Sequence, residues 1–327
     1  MRWILGTYKS DLAFFYLPTL LCIAFSFGWP HFASESFFYA LIATVIIDSG
    51  HVYTTLWRTY FHSDEVKTDP LTYILTPLLI VLCFFFWAYL QFPGLWSFIV
   101  YATLFHHIRQ NYGLLKWYEK LNKRSSKVST YFLWAFSLLP IIAYHFREGV
   151  FTGYYSGADL VMFSSPVAFQ ITLVFWFAAL GAWLTYEYVQ FKNNVREPNR
   201  ALFLLFIGAQ YAVCFFIGRR AYEVLFPLLI AHGLTYFVLM SHALVRTQKQ
   251  RFKTFGLALV VIVLTALFFG FSENYVEEHF INFKSDFTFT WLSALVLGFY
   301  LTPLFTHFAL DAFIWKKHHR EAQNIYN

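Results

Sequence analysis

Apolar segments long enough to cross a membrane follow one another along almost the whole chain of 327 residues. A transmembrane helix needs about 20 mostly apolar residues. The segments that qualify are 12–29, 36–57, 71–91, 95–115, 129–146, 166–190, 201–218, 224–245, 254–272 and 289–314. We therefore predict an all-α, polytopic integral membrane helical bundle of about ten transmembrane helices. No linker or repeat divides the chain, so we expect one transmembrane domain over residues 1–327.

The composition excludes several other classes of protein. Hydrophobic residues make up 58% of the chain and charged residues 13%, whereas soluble domains contain roughly 45–50% and 25%. A soluble globular enzyme, a disordered chain and a secreted disulfide scaffold are all inconsistent with these values. Cys22, Cys83 and Cys214 lie inside apolar segments without a CxxC pair, so the sequence indicates neither disulfides nor a thiolate metal site.

The loops between the apolar segments differ in charge, and this difference predicts their orientation. Basic residues cluster in every second loop, whereas the loops between them are acidic or weakly charged. Since cytoplasmic loops carry an excess of Lys and Arg, we expect both termini in the cytoplasm. The pair Arg219 and Arg220 is the exception to this alternation.

Histidines and carboxylates inside the apolar segments are the strongest indication of function. Ionisable residues within a membrane are costly and usually have a partner or a purpose. On predicted helix two, Asp48 lies three residues before His51, and on helix ten His307 lies four residues before Asp311. Residues at these spacings share a helix face. Each of the two helices therefore presents an imidazole beside a carboxylate.

Predicted helices four and eight also carry histidines. In FHHIRQ, either His106 or His107 shares a face with Gln110, and the sequence leaves this choice open. On helix eight, His232 lies four residues before Tyr236 and His242 lies near the predicted inner end.

The depth of these residues can be predicted from the helical rise of about 1.5 Å per residue. We predict a depth of about 10–13 Å inside the cytoplasmic boundary for His51, for His307 and for whichever histidine of helix four is used. His242 joins this layer if helix eight extends past Arg246, whereas His232 is expected about 15 Å deeper. Histidines at one depth on facing helices are a typical way to build a metal site in a bundle.

We therefore predict a metal centre near the cytoplasmic face. Imidazole with carboxylate and without thiolate suits iron, zinc, manganese or copper. The candidate metal ligands are His51, His106, His107, His232, His242 and His307. The candidate catalytic residues, which would ligate directly, orient the imidazoles or donate protons, are Asp48, Gln110, Tyr236 and Asp311.

Two resemblances bear on this centre. A membrane protein with about nine histidines toward the cytoplasmic side resembles the fatty-acid desaturase and hydroxylase group, although the HxxxH and HxxHH boxes of that group are missing here. The fragments HFALDA and HGLTY resemble those of the Brp/Blh-type carotenoid dioxygenases. This second resemblance implies that iron is held by His51, His106 or His107, His232 or His242, and His307.

The expected function is that of a membrane-embedded non-haem metal oxidoreductase with one or two iron ions. Its substrate would be a lipid or an isoprenoid taken from the bilayer, and the reaction desaturation, hydroxylation or oxidative cleavage, with an electron donor as partner. Nucleic acid is not expected as a partner. The alternatives are a haem protein for electron transfer, a proton-coupled transporter that uses Asp48, Asp311 and the histidines, and a zinc-dependent lipid transferase or hydrolase. No GxSxG, HExxH, P-loop or Rossmann motif is present, so the sequence offers no support for serine nucleophiles or nucleotide binding.

Overall fold

The computed structural model describes residues 2–28, 45–62, 66–67, 69–153, 155, 159–280 and 289–315. These ranges are almost entirely helical and contain no strand. The main helices are α1 (Tyr8–Gly28), α2 (45–57), α3 (Pro70–Tyr89), α4 (Leu95–Leu121), α5 (Lys127–Tyr144), α6 (Pro166–Lys192), α7 (Pro198–Ile217), α8 (Ala221–Thr247), α9 (Phe255–Phe280) and α10 (Trp291–Ile314). The predicted all-α, polytopic fold is confirmed.

Eight of these helices are long and apolar enough to cross a membrane, namely α1, α3 and α5 to α10. Helix α4 is 27 residues long but more polar than the others. The first part of predicted segment 36–57 lies outside the described residues, so α2 is seen only from residue 45 onward. The structure therefore supports a multi-pass integral membrane protein.

The outward faces of the candidate spans are strongly apolar. Val174 on α6 and Phe268 on α9 are both 67% exposed, and many other large apolar side chains are also exposed. A soluble monomer rarely leaves apolar patches of such extent in water. Contact with lipid hydrocarbon accounts for these faces.

The described contacts group into two compact units, and the prediction of a single domain stays a prediction. The first unit comprises Met1–His31, Val100–Gly153 and Ala158–Ala231, and the second comprises Phe32–Ile99, Tyr154–Gly157 and His232–Asn327. Each unit has its own packing.

In the first unit, α5 packs against α6 and α7. Phe136 on α5 is fully buried and makes ring contacts with Trp176 and Trp183 of α6. Arg200, at the start of α7, pairs at 2.9 Å with Glu187 and is 2% exposed. A buried charge requires such a partner, and this pair holds one end of α6 and α7 together.

In the second unit, α3 packs along α10, and α2 packs along α9. Buried Phe84 and Ala88 of α3 meet Leu297 and Leu301 of α10 in one apolar cluster. A second cluster joins α8 and α9 through residues such as Met240 and Ile262. These contacts fix the helices that carry the functional residues.

Helix α2 changes its winding twice within a few residues. Val45–Ser49 is π-helical, Gly50–Thr54 is α-helical and Thr55–Trp57 is a 3₁₀ turn. Single π-helical turns occur frequently at functional sites because they change the direction of the side chains that follow. In α2, the candidate metal ligand His51 lies two residues after this π-helical turn.

Candidate metal centre

Four buried histidines form a group that could hold a metal ion. They lie on α2, α4, α8 and α10, the four helices on which the sequence predicted metal ligands. The members are His51, His106, His232 and His307. Each is at most 7% exposed. Three of them, His51, His232 and His307, belong to the second unit.

His51, His232 and His307 bring their ring nitrogens close together. The Nε2 atoms of His51 and His232 are 3.0 Å apart, and the donor nitrogens of these three histidines all lie within 4.8 Å of one another. Two nitrogens bound to one metal ion, each at about 2.0–2.1 Å, are about 3–4 Å apart. A small movement of the rings would therefore place these imidazoles on a single ion.

The second nitrogen of each ring on α2 and α10 already has a partner. Nδ1 of His51 lies 3.0 Å from the carbonyl oxygen of Ile47, and Nδ1 of His307 lies 2.7 Å from Oγ1 of Thr55. A carbonyl oxygen only accepts hydrogen bonds, so Nδ1 of His51 carries the hydrogen and its Nε2 offers a lone pair. Metal-binding histidines typically have one nitrogen held by the protein in this way.

A polar network continues from His307 into the second unit. Thr55 Oγ1 lies 2.8 Å from the Tyr236 hydroxyl, which donates to Asp311 Oδ1 at 2.8 Å. His307 Nδ1 and Asp311 Oδ1 are 3.8 Å apart, too far for a direct hydrogen bond. The carboxylate therefore reaches the imidazole through Tyr236 and Thr55.

Two glycines allow α2 to approach its neighbours. A Cβ atom at Gly233 of α8 would lie 2.5 Å from the Ile47 carbonyl oxygen, and one at Gly50 of α2 would lie 2.6 Å from the Ala266 carbonyl oxygen of α9. Real Cβ contacts are longer than this, and backbone atoms cannot move aside cheaply. Gly233 follows His232 directly, so the absence of its side chain permits the contact between His51 and His232.

The structure corrects the predicted depth of His232. We expected His232 to lie about 15 Å deeper than the histidine layer, yet its Nε2 contacts that of His51 at 3.0 Å. Helix α8 ends at Thr247, only two residues after the predicted end, so its length does not explain the difference. A rise counted along one helix takes no account of how that helix is displaced or tilted against its neighbours.

The remaining predicted residues lie on the expected helices. His107 on α4 is buried and His242 on α8 is half-buried, and neither belongs to the four-histidine group. Gln110 is half-buried on α4, and Asp48 is half-buried in the π-helical turn before His51. Direct roles of these four residues at the centre stay predictions.

Two carboxylates outside the predicted helix, Glu273 and Glu277, lie inside α9. We predicted that this helix ends at residue 272, whereas it continues to Phe280. Glu273 forms side-chain hydrogen bonds with Tyr53 and Ser49 of α2, and Glu277 accepts from Tyr300 of α10 at 3.0 Å. The spacing of four residues between Glu273 and Glu277 was the signal that could have placed them on one helix face.

No protein-family model matches the sequence, and comparisons with curated proteins and with solved structures give no significant match. The class of protein is therefore defined by its fold and its candidate site. The chain is a multi-pass helical membrane protein with a buried four-histidine group that could hold a metal ion.

Proposed function

We propose that this protein is a membrane-embedded non-haem metal oxidoreductase that acts on a lipid-soluble substrate. The observation that carries the proposal is the convergence of buried imidazoles, above all the 3.0 Å separation of the His51 and His232 Nε2 atoms. Buried polar groups need partners, and a metal ion satisfies several ring nitrogens at once.

The proposed metal ligands are His51, His106, His232 and His307. Their donor set consists of neutral imidazoles without thiolate, which suits iron, copper or zinc better than calcium or magnesium. The resemblance of HGLTY and HFALDA to carotenoid dioxygenases favours iron among these metals. When bound, iron would supply electrons for the activation of dioxygen.

The residues around the imidazoles would control protons. The Tyr236 ring lies 4.9 Å from the His307 ring and 5.7 Å from the His51 ring, measured between centroids. Its hydroxyl bonds to Asp311. Tyr236 and Asp311 are therefore placed to deliver or remove a proton beside the centre, in agreement with their proposed catalytic role.

A lipid-soluble substrate suits this location. The centre is buried within helices whose outer faces are apolar, and His51, His232 and His307 are each at most 3% exposed. An acyl or isoprenoid chain is already dissolved in the medium that surrounds these faces. The proposed reactions are desaturation, hydroxylation or oxidative cleavage of such a chain.

The geometry disfavours the haem alternative. Two axial histidines approach haem iron from opposite faces of the macrocycle. The Nε2 atoms of His51 and His232 are only 3.0 Å apart, and the His307 ring lies 5.0 Å from the His51 ring, measured between centroids. This cluster leaves no room for a porphyrin between the rings.

Proton-coupled transport is the second candidate function. It is favoured by the carboxylates of Glu273 and Glu277, which lie within α9 and bond to α2 and α10. Intramembrane carboxylates often mark proton pathways. Metal-independent flux of protons or solutes in proteoliposomes would favour this candidate.

Oxygen consumption by the iron-loaded protein tests the proposal. Protein in liposomes is loaded with Fe²⁺, supplied with a polyene or acyl lipid and a chemical reductant, and followed with an oxygen electrode and mass spectrometry of the lipids. We expect substrate-dependent oxygen uptake and an oxidised lipid product, both lost in His51→Ala and retained in the exposed variant His279→Ala. Stoichiometric iron without any lipid-dependent oxygen uptake across both substrate classes would contradict the oxidoreductase proposal.

A further inference from the structure

We infer that Thr55, Tyr236 and Asp311 act together as positioning residues that fix the protonation pattern of His307. They hold this histidine in the tautomer with hydrogen on Nδ1, so that Nε2 presents a lone pair to a metal ion. The inference rests on the proposed metal centre, but it concerns the hydrogen bonds of the protein and can be tested without metal.

The direction of the hydrogen bonds follows from the bond between Tyr236 and Asp311. Asp311 Oδ1 accepts the single hydroxyl hydrogen of Tyr236 at 2.8 Å. The Tyr236 oxygen then accepts from Thr55 Oγ1, also at 2.8 Å. Thr55 has used its only hydrogen, so its oxygen accepts the hydrogen from His307 Nδ1 at 2.7 Å.

Asp311 is surrounded by hydrogen-bond donors and a cation. It accepts a second hydrogen bond from the Trp315 side chain and faces the positive charge of Arg58. The Arg58 guanidinium is itself fixed, because it donates to the Ile314 carbonyl and lies 4.1 Å from the centroid of the Trp315 ring. Asp311 thus has two donors and a cation beside it, and its carboxyl oxygens act as acceptors.

The hydrogen bonds that connect Asp311, Tyr236, Thr55 and His307 form a relay, and burial makes each of these bonds specific. Thr55, Tyr236 and His307 are each at most 4% exposed, so water does not compete for their polar atoms. The Asp311 side chain is 12% exposed and stands at the end of the relay. The partly exposed Asp311 carboxyl group thereby sets the tautomer of an imidazole that it does not bond directly.

Two substitutions should disturb the relay in different ways. Thr55→Val removes the acceptor of His307 Nδ1 with little change in volume. Asp311→Asn allows a side-chain amide to donate to the Tyr236 oxygen, which permits the whole relay to run in the opposite direction. In the reversed relay Thr55 donates to His307 Nδ1, and the ring hydrogen moves to Nε2, where it blocks metal binding.

The experiment combines two measurements on the full-length protein in detergent. Long-range ¹⁵N–¹H spectra of protein labelled at histidine report the tautomer of His307 in the metal-free state, with its signals assigned through His307→Ala. Optical titration with Co²⁺ reports metal affinity. Thr55→Ser keeps the hydroxyl, and Thr302→Val is the matched control on α10, since the Thr302 hydroxyl donates to the Gly298 carbonyl of its own helix.

We expect hydrogen on Nδ1 of His307 in the wild type, in Thr55→Ser and in Thr302→Val. Thr55→Val and Asp311→Asn should lose this preference and bind Co²⁺ about 10- to 100-fold more weakly, as is typical when the protein partner of a metal-binding histidine is removed. If Thr55→Val fails to fold, the comparison of Asp311→Asn with the wild type decides.

Three results would overturn the inference. They are hydrogen on Nε2 of His307 in the wild type, an unchanged tautomer in both Thr55→Val and Asp311→Asn, or wild-type Co²⁺ affinity in both variants. A wild-type protein that shows the Nδ1 tautomer but does not bind Co²⁺ would support the relay and contradict the metal centre. The two failures are therefore distinguishable.

Discussion

His51 and His232, which are 181 positions apart in sequence, meet through their Nε2 atoms at 3.0 Å. The same crossing of α2 and α8 contains Gly233, whose missing side chain leaves space for the Ile47 carbonyl. Ile47 in turn accepts the hydrogen bond from His51 Nδ1. Close backbone approach, ring orientation and nitrogen convergence thus depend on one another at this crossing.

Gly233→Ala should separate α2 from α8 and weaken metal binding. The new methyl group would meet backbone atoms of Ile47, and such overpacking typically costs about 1–3 kcal/mol of stability. We expect a lower melting temperature together with weaker Co²⁺ binding. Gly181→Ala on α6, where a Cβ meets no heavy atom within 4 Å, is the control, and equal effects of the two substitutions would contradict the role of this contact.

Alanine substitution of the converging histidines should remove the metal. His51→Ala, His232→Ala and His307→Ala each delete a ligand from a buried group, so metal per chain should fall well below that of the wild type. His279→Ala is the control because His279 is exposed and bonds to the Tyr275 carbonyl of its own helix. Elemental analysis of the purified variants checks this prediction, which is wrong if His279→Ala loses as much metal as the others.

The adjacent histidines of α4 should respond differently to substitution. His106 belongs to the four-histidine group and His107 does not, although both are buried, at 7% and 5% exposure. We expect His106→Ala to lower Co²⁺ affinity at least about 10-fold, the lower end of what the loss of a supporting group alone costs, and His107→Ala to leave it near that of the wild type. The reverse order in the same titration would assign the ligand role to His107.

Metal removal should lower the stability of the folded protein. A ligand that binds only the folded state adds about 2.7 kcal/mol when its free concentration is about 100 times Kd. We expect chelation to lower the melting temperature and added metal to restore it. Imidazoles must be neutral to bind metal, so this stabilisation should be present at neutral pH and lost in acid. A melting temperature that is the same with and without chelator at pH 7.5 would contradict the prediction.

Most of the fold could be predicted from the sequence because apolar length is a local property. Helices α3, α5, α6 and α10 begin and end close to the predicted residues. The end of α9 was wrong because Glu273 and Glu277 are polar in sequence but lie within the helix, where α2 and α10 provide their partners. Such partners come from distant parts of the chain and leave no local signal.

The sequence predicted which helices carry the residues of the site, but it did not predict how these residues contact one another. Spacing placed His51 with Asp48 and His307 with Asp311, yet the link between His307 and Asp311 runs through Tyr236 and Thr55. Depth counted along single helices placed His232 incorrectly, because it ignores how α8 is displaced or tilted against α2. Only the crossing of α2 and α8 shows that these two histidines meet.

Metal content and an optical spectrum of the same detergent-purified sample decide whether these histidines hold a non-haem metal. We expect one or two metal ions per chain after reconstitution with Fe²⁺, no Soret band, and loss of this metal in His51→Ala. A Soret band, or no stoichiometric metal after reconstitution with iron, copper, manganese and zinc in turn, would contradict a non-haem metal centre formed by these histidines.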